Sequence, residues 1–538
     1  MDIAKRSFEY LLFLLTGTVL FQSLFFFINI GINNVSFILA TLLFLVFCYF
    51  FRDNKKINKN NFISIIIVWV LIILLFLYYR NFNECTYDGA FYHGNAIVHM
   101  LDGWNPFLQA DQHKITGVTV WADYYPKATW FFGANLIKLF NNLSAGMIIN
   151  LLVSIALSVY SFIYVYEWKH KKVLSLIVAL VLFLNPIAIE QTHSYYVDAV
   201  LGNFTIILIM LCAKVMKEYN IWDNILIVLV SVFMINIKFT GFGFAGIINF
   251  VAWVYLFFKN KKGFYKYTVS GVILLFVAVI IVGFSPYLIN IIKKRHIFYP
   301  LVGENAEDVI TYLIPEEIKS MNFYHKFTYS LTSGEGLMNN LKDFSYDEYL
   351  LYDEKIGAMG RQFIKIMILS SIGFIYYFAC SIKNRKTDFI FWLCILSLII
   401  TIIVNYNNMW WFRYIPQIWL FVPIGILLLS DNKILSLFIL LILYFVIRQS
   451  YFNIYYTVTT DYAKSRAIEK IYNDYKGKDI VVQIDLNSEI KTSLLDDYEV
   501  ARAKQYGVNI TEVRHDAYVE DIKSYYMHYY RIYVLEEK

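Results

Sequence analysis

Apolar runs long enough to cross roughly 30 Å of hydrocarbon recur from near the N-terminus to about residue 450. A chain with so much of its length in lipid must satisfy its own backbone hydrogen bonds there, which only helices and closed barrels achieve. Strand-length alternation is absent, so the runs read as helices. They cover residues 8–30, 35–51, 62–79, 145–166, 173–189, 199–215, 225–237, 242–258, 268–292, 363–382, 389–404, 415–429 and 434–447, about thirteen spans in all. With 59% hydrophobic and 16% charged residues, the 538-residue chain is too apolar for a soluble domain of this size. The expected fold class is an all-α polytopic membrane protein.

Lys and Arg in short loops mark the cytoplasmic side. They recur in alternate loops: Lys5 and Arg6; Arg52, Lys55, Lys56 and Lys59; Lys169, Lys171 and Lys172; Lys214 and Lys217; Lys259 to Lys266; Lys383 to Lys386; and Lys433. The N-terminus is expected inside and the C-terminal tail outside, in a multi-pass protein of the cell membrane. Abundant Ile, Lys, Asn, Tyr and Phe suit the plasma membrane of a low-GC bacterium. Topology accounts for much of the formal charge of +6, so no nucleic-acid partner is expected. The first apolar run exceeds a signal-peptide core and reads as an uncleaved helix. Four cysteines fall within spans, leaving only Cys85 in an outer loop, so neither a disulfide nor a thiolate zinc site is expected.

Residues 80–143, 293–362 and 451–538 stand outside the spans, all on the expected outer face. The chain therefore divides into residues 1–61, two helices and a cytoplasmic loop; 62–450, a membrane module carrying the outer loops 80–143 and 293–362; and 451–538, a soluble extracytoplasmic tail. In the first loop, residues 90–101 have apolar positions at helical spacing and are expected to lie along the membrane interface, ending near Gly103 and Pro106. A second amphipathic piece covers 127–140. The tail carries expected strands at 479–484 and 531–535 and reads as a small α/β domain. It has no glycine-rich phosphate loop, and the two membrane halves are not copies of each other.

The loop phrase DGAFYHGNAI, followed by WADYYPK, resembles the GT-C membrane glycosyltransferases, with the protein O-mannosyltransferase and aminoarabinose-transferase branch the nearest in pattern. Further pieces follow in order: NPIAIEQTHSYYVDA at 185–199, NIKFTGF at 236–242, GFSPYLIN at 283–290, FYPL ending at Leu301, and WWFRYIPQIW at 410–419. The resemblance covers about residues 80–429. It implies a GT-C-like bundle that passes a sugar from a polyprenyl-phosphate donor to an acceptor glycan, lipid or protein, usually with inversion. It implies Asp88 as general base or acceptor-orienting carboxylate. Gly89 departs from the pattern, because many members place a second acid there. So does Tyr124-Tyr125-Pro126-Lys127, where the usual phrase is His-Tyr-Pro.

The chemistry is compatible with one carboxylate. A lipid phosphate leaves as a weak base and needs cationic stabilisation more than protonation, while a base for the acceptor proton contributes roughly 10² to 10⁴ in rate. Asp88 alternatively caps the helix that starts near Gly89. Arg413, behind two tryptophans, suits bidentate phosphate binding or a snorkelling arginine. Lys238, set between apolar spans, needs either a phosphate or a structural ion pair. Lys293, Lys294 and Arg295 are an outer basic run suited to the donor phosphate, to lipid headgroups, or to a solvated helix end. Tyr92, His93, Tyr125, Lys127, His193 and Asp198 are candidates for contacting or orienting sugar and acceptor. Asp198 alternatively caps its span. His93, His113 and His193 have no recognised metal spacing, and a divalent metal is left open. Trp104, Trp121 and Trp130 stack on sugars or anchor at the interface, and Asp102, Asp111 and Asp123 read as loop acids. The rival readings are a lipid or polysaccharide transporter, which requires a continuous polar pathway, and an O-antigen-type polymerase or ligase, which takes a preassembled glycan.

Overall fold

The computed structural model describes residues 1–538 apart from 57, 87, 111–117, 307–310, 312–313, 333–358, 361, 385–387, 487–495, 515–523, 528–529 and 538. Within the described residues, nine helices are long and apolar enough to cross a membrane: Asp2–Phe27, Val35–Arg52, Lys59–Tyr79, Leu143–Lys169, Asp198–Lys217, Phe239–Lys259, Lys261–Val282, Phe363–Lys383 and Leu437–Asp474. Four shorter apolar helices, Lys172–Phe183, Ile221–Ile235, Phe389–Ile403 and Pro416–Leu429, coincide with the other expected spans. The span expected at 173–189 is interrupted at Asn185, whose side chain accepts from the Ile187 amide and starts a separate turn, Pro186–Glu190.

The helix Asp198–Lys217 is 94% buried against 22% for Lys261–Val282, so the former is the axis of the bundle and the latter faces outward. Ion pairs gather the basic helix ends at one end. Lys5 meets Glu167 at 3.1 Å, Arg6 meets Asp53 at 2.9 Å, Lys169 meets Asp431 at 3.0 Å and Lys214 meets Asp223 at 2.9 Å. Helices whose basic termini meet this way run in alternating directions, so Asp88, the N-terminus of Asp198–Lys217 and the turns at 238 and 413 lie at the opposite end.

The segment 90–101 is helical, as its spacing suggests, and it is buried within the protein. Gly89–Gly94 forms a π-helical turn that continues into the helix Asn95–Leu101, and His93 to Met100 are all buried. The cover is the tail. Leu437–Asp474 is one unbroken 38-residue helix that passes through the expected boundary at 450/451 and, at about 1.5 Å per residue, outreaches the bilayer. It leads into β1 (Asp479–Leu486), the helix Asp496–Gln505, and β2 (Asn509–Arg514), parallel to β1. β3 (Ser524–Met527) and β4 (Tyr530–Glu537) complete a four-stranded sheet of order β2-β1-β4-β3. The expected strands 479–484 and 531–535 fall within β1 and β4. The helix Asp496–Gln505 lies on the first loop: the Tyr498 amide donates to Asn95 Oδ1 at 2.8 Å, and His99 Nε2 meets Asp497 Oδ2 at 2.8 Å.

Close backbone approach fixes the helix pairs. A Cβ built on Gly425 would stand 2.6 Å from Ser370 Cβ and 2.8 Å from Ser370 Cα, so Pro416–Leu429 and Phe363–Lys383 touch at glycine. Gly425→Leu is expected to lower thermal stability in detergent by about 1–3 kcal/mol, since overpacking forces the pair apart. Gly271→Leu, which enters open space, serves as the control and is expected to leave the melting temperature unchanged.

Candidate functional site

Three turns meet at the end of the bundle that carries Asp88. The 3₁₀ turn Phe412–Tyr414 is pinned by Asn185 Nδ2 donating to the Pro416 carbonyl at 3.1 Å and Asn405 Nδ2 donating to the Tyr414 carbonyl at 3.0 Å. It presses onto the axial helix at Gly202, where a Cβ would lie 2.5 Å from Pro416 Cγ. The turn carrying Lys238 is equally tight, because a Cβ on Gly241 would meet the Met234 carbonyl oxygen at 2.1 Å. The third turn carries Asp88 and begins the π-helical segment.

These turns bring two carboxylates and two cations together. Arg413 Nη2 donates to Asp88 Oδ2 at 2.8 Å, and Arg413 Nε lies 3.9 Å from Asp198 Oδ2. Lys238 Nζ donates to Asp198 Oδ1 at 2.6 Å. Neither acid uses its side chain as a helix cap: Asp88 precedes the Gly89 turn without a capping bond, and Asp198 follows the cap position. Aromatic rings surround the cations. Arg413 Cζ lies 4.1 Å from the Trp411 ring centroid and 5.0 Å from that of Tyr196, and Lys238 Nζ sits 4.2 Å above Tyr414. The Asp88 side chain is 24% exposed and that of Asp198 only 7%, so Asp88 is the acid an incoming molecule meets. Burial by itself works against the Arg413 charge, but Tyr414, Asp88, Tyr196 and Asp198 outweigh it and hold the guanidinium protonated. Arg413 Nε is buried without a hydrogen-bond partner, leaving one donor of the fork unused.

Tyr92, His93, Tyr125 and Lys127 form an aromatic box beneath this cluster. Tyr92 lies 5.8 Å from both Trp121 and Tyr125 between ring centroids, and Tyr125 stacks on Trp130 at 6.2 Å. Trp130 Nε1 donates to His93 Nδ1 at 2.6 Å, and burial holds the His93 imidazole neutral with its pKa pushed down to about 3. Lys127 is buried, and its ammonium donates to the carbonyls of Asp123 and Tyr125 at 3.0 and 2.7 Å. It therefore shapes its own loop.

Two candidate groups lie apart from the cluster. His193 Nδ1 pairs with Asp461 Oδ2 at 2.9 Å, its Nε2 meets the Tyr78 hydroxyl at 2.8 Å, and its ring stacks on Phe82. This histidine ties the long C-terminal helix to Lys59–Tyr79. Lys294 Nζ stands 4.7 Å from the Tyr299 ring centroid and 4.9 Å from that of Tyr124. Among the described residues, none of Lys293, Lys294 and Arg295 pairs with the acids of the cluster. Asp111 and His113 lie outside the described residues. Within those residues, no group of three or more His, Cys, Asp or Glu side chains could hold a metal ion, and none of the five cysteines is paired.

The sequence reading missed Glu84. Its side chain is fully buried; Oε1 accepts from the Thr86 amide and hydroxyl at 2.6 and 2.5 Å, and Oε2 accepts from the Tyr195 amide. A Cβ on Gly89 would lie 2.3 Å from Thr86 Oγ1 and 2.4 Å from the Glu84 carboxyl carbon, so the fold leaves no room for a side chain at this position. Nothing in the spacing of Glu84 and Gly89 announces this overlap.

A cleft of about 310 Å³ opens between Ile221–Ile235, Phe239–Lys259 and the helix that follows, its upper wall formed by Phe242, one turn from Lys238. Its polar groups satisfy one another: Asn224 with Ser270 at 2.8 Å, Asn249 with Ser231 at 2.9 Å and Tyr267 with Asn249 at 2.7 Å. No protein-family model matches the chain, and no curated protein matches it either.

Burial raises the Glu84 carboxyl from its ordinary 4.5 to about 7 despite hydrogen bonds from Thr86 and Tyr195 that favour the charged form. Protonation therefore favours the folded loop. The contribution is complete below pH 4.5 and lost as pH rises through about 7, an integrated effect of about 3 kcal/mol. The melting-temperature difference between wild type and Glu84→Gln is expected to shrink in favour of the variant as pH rises between those values. The His93 contribution is common to both proteins and cancels. A pH-independent difference would contradict the assignment.

Proposed function

We propose that this chain is an integral-membrane glycosyltransferase that takes a sugar from a polyprenyl-phosphate donor and passes it to an acceptor of the cell envelope at the outer face of the membrane. The observation that carries the reading is the meeting of Asp88 and Asp198 with Arg413 and Lys238 in a partly open, aromatic-walled site at the end of the bundle away from its basic termini. By the charge rule that end faces outward, and the tail with it.

The four charges balance without a ligand. A donor phosphate competes with Asp88 for Arg413, whose planar fork suits a phosphate, and uses the free Nε donor. Displaced from Arg413, Asp88 is a free carboxylate at the exposed side. It takes the proton of the acceptor hydroxyl as the acceptor oxygen bonds to the anomeric carbon and the bond from that carbon to the phosphate oxygen breaks. The electron pair leaves with the polyprenyl phosphate, where Arg413 and Lys238 stabilise it. A single displacement of this kind inverts the anomeric centre. Asp198 keeps Lys238 and Arg413 in place, and Tyr92, the partly exposed ring of the box, is backed by the buried Tyr125 and Trp130. The cleft lined by Phe242, four residues after Lys238, is a largely apolar berth that suits the donor tail. Its mutually satisfied polar groups do not form the open polar path that a transporter requires.

Asp88→Asn is expected to reduce transfer by about 10² to 10⁴ while polyprenyl-phosphate binding in nanodiscs is retained or tightened, because Arg413 is freed. Arg413→Ala is expected to weaken that binding by about tenfold or more, the value of a charge-assisted hydrogen bond. Near-normal turnover by Asp88→Asn at matched expression would contradict the role of Asp88 as base.

A further inference from the structure

We propose that Glu84 is a positioning residue that locks the two acid-bearing segments of the site to each other, with the tail helix Asp496–Gln505 as its backstop. This rests on the reading of Asp88 and Arg413 as the reacting site. Glu84 does not touch Arg413. Its two oxygens instead hold two backbone segments that do: Oε1 holds Thr86, two residues before Asp88, and Oε2 holds the amide of Tyr195, whose neighbour Tyr196 packs on Arg413 and which precedes Asp198 by three residues. Both carboxylates that face Arg413 thus hang from segments joined through one buried side chain.

Two further observations are independent of those hydrogen bonds. Gly89 has no room for a side chain: a Cβ there would lie 2.3 Å from Thr86 Oγ1 and 2.4 Å from the Glu84 carboxyl carbon, so the turn, Thr86 and the acid fit as one packed unit. On the other side, Arg502 Nη1 donates to the Glu84 carbonyl at 2.8 Å, Tyr498 meets Tyr195 edge-on at 6.0 Å between centroids, and a Cβ on Gly94 would lie 2.7 Å from the Tyr498 ring. Arg502 is itself fully buried against Glu499. The tail helix therefore closes the space into which the Glu84 segment would retreat, which gives the C-terminal region a part in shaping the site. Ionised, as it is above about pH 7, Glu84 accepts at both oxygens; an amide turns an N–H toward one of the two segments.

The test is hydrogen exchange on the full-length protein in nanodiscs, with the transfer assay run in parallel. In Glu84→Ala, amide protection is expected to fall about tenfold in both segments, 88–94 and 195–198, as hydrogen bonds to a charged group are lost. In Glu84→Gln, only one of the two segments is expected to loosen. Gly89→Ala is expected to destabilise the wild-type protein and to cost less in Glu84→Ala, where the Glu84 carboxyl is gone and the Thr86 hydroxyl has lost the acceptor that holds it there, a coupling read from a double-mutant cycle of melting temperatures. In the transfer assay, kcat is expected to fall about tenfold or more in Glu84→Ala while the KM for a polyprenyl-phosphate hexose changes much less, as for an interaction that orients rather than binds. Loosening of one segment alone in Glu84→Ala, or an equal cost of Gly89→Ala in both backgrounds, would overturn the proposal. A wild-type protein that transfers no sugar would overturn the glycosyltransferase reading, while the exchange and double-mutant results still decide the coupling.

Discussion

The ion pair between Asp88 and Arg413 joins residues 325 positions apart in sequence and ties the turn that carries Asp88 to the helix bundle. Much of the local structure around it consists of devices that let charged side chains meet at the end of an apolar bundle. Gly202 admits Pro416, and with it the turn that carries Arg413; Gly241 permits the turn that carries Lys238; and Gly89 leaves space for Glu84. Isolated charges here would be costly, so the two acids and two cations hold each other in place. The same balance makes the cluster responsive to an added anion, because a phosphate that takes Arg413 sets a carboxylate free.

The spans were legible because lipid imposes length and apolarity together. The nine long helices and the four shorter apolar ones coincide with runs visible in the sequence, and the alternation of Lys and Arg anticipates which helix ends meet in ion pairs. Asp88, Arg413, Lys238 and Asp198 stood out because an ionisable residue beside an apolar run is rare enough to require a partner. Their mutual pairing was not legible, since no spacing within a motif encodes contacts across hundreds of residues.

Burial by the tail was also hidden. Residues 90–101 have an amphipathic spacing that fits a membrane interface as well as a protein groove, and only the packing of Tyr498 and Asp497 against them decides between the two. His193 and Lys294 stood out by position, but their contacts, Asp461 for the former and Tyr124 with Tyr299 for the latter, were not legible from spacing. Glu84 carried no distinguishing pattern. Its importance comes from a steric overlap with Gly89 and a hydrogen bond to Tyr195, both products of the folded backbone.

The measurement that tests the account most directly is a structure of the full-length protein in nanodiscs loaded with polyprenyl phosphate. The account predicts phosphate within hydrogen-bond reach of Arg413 and Lys238, the Asp88–Arg413 bond broken, and the Asp88 carboxylate facing an open acceptor side. Phosphate bound elsewhere with the Asp88–Arg413 pair intact would contradict it.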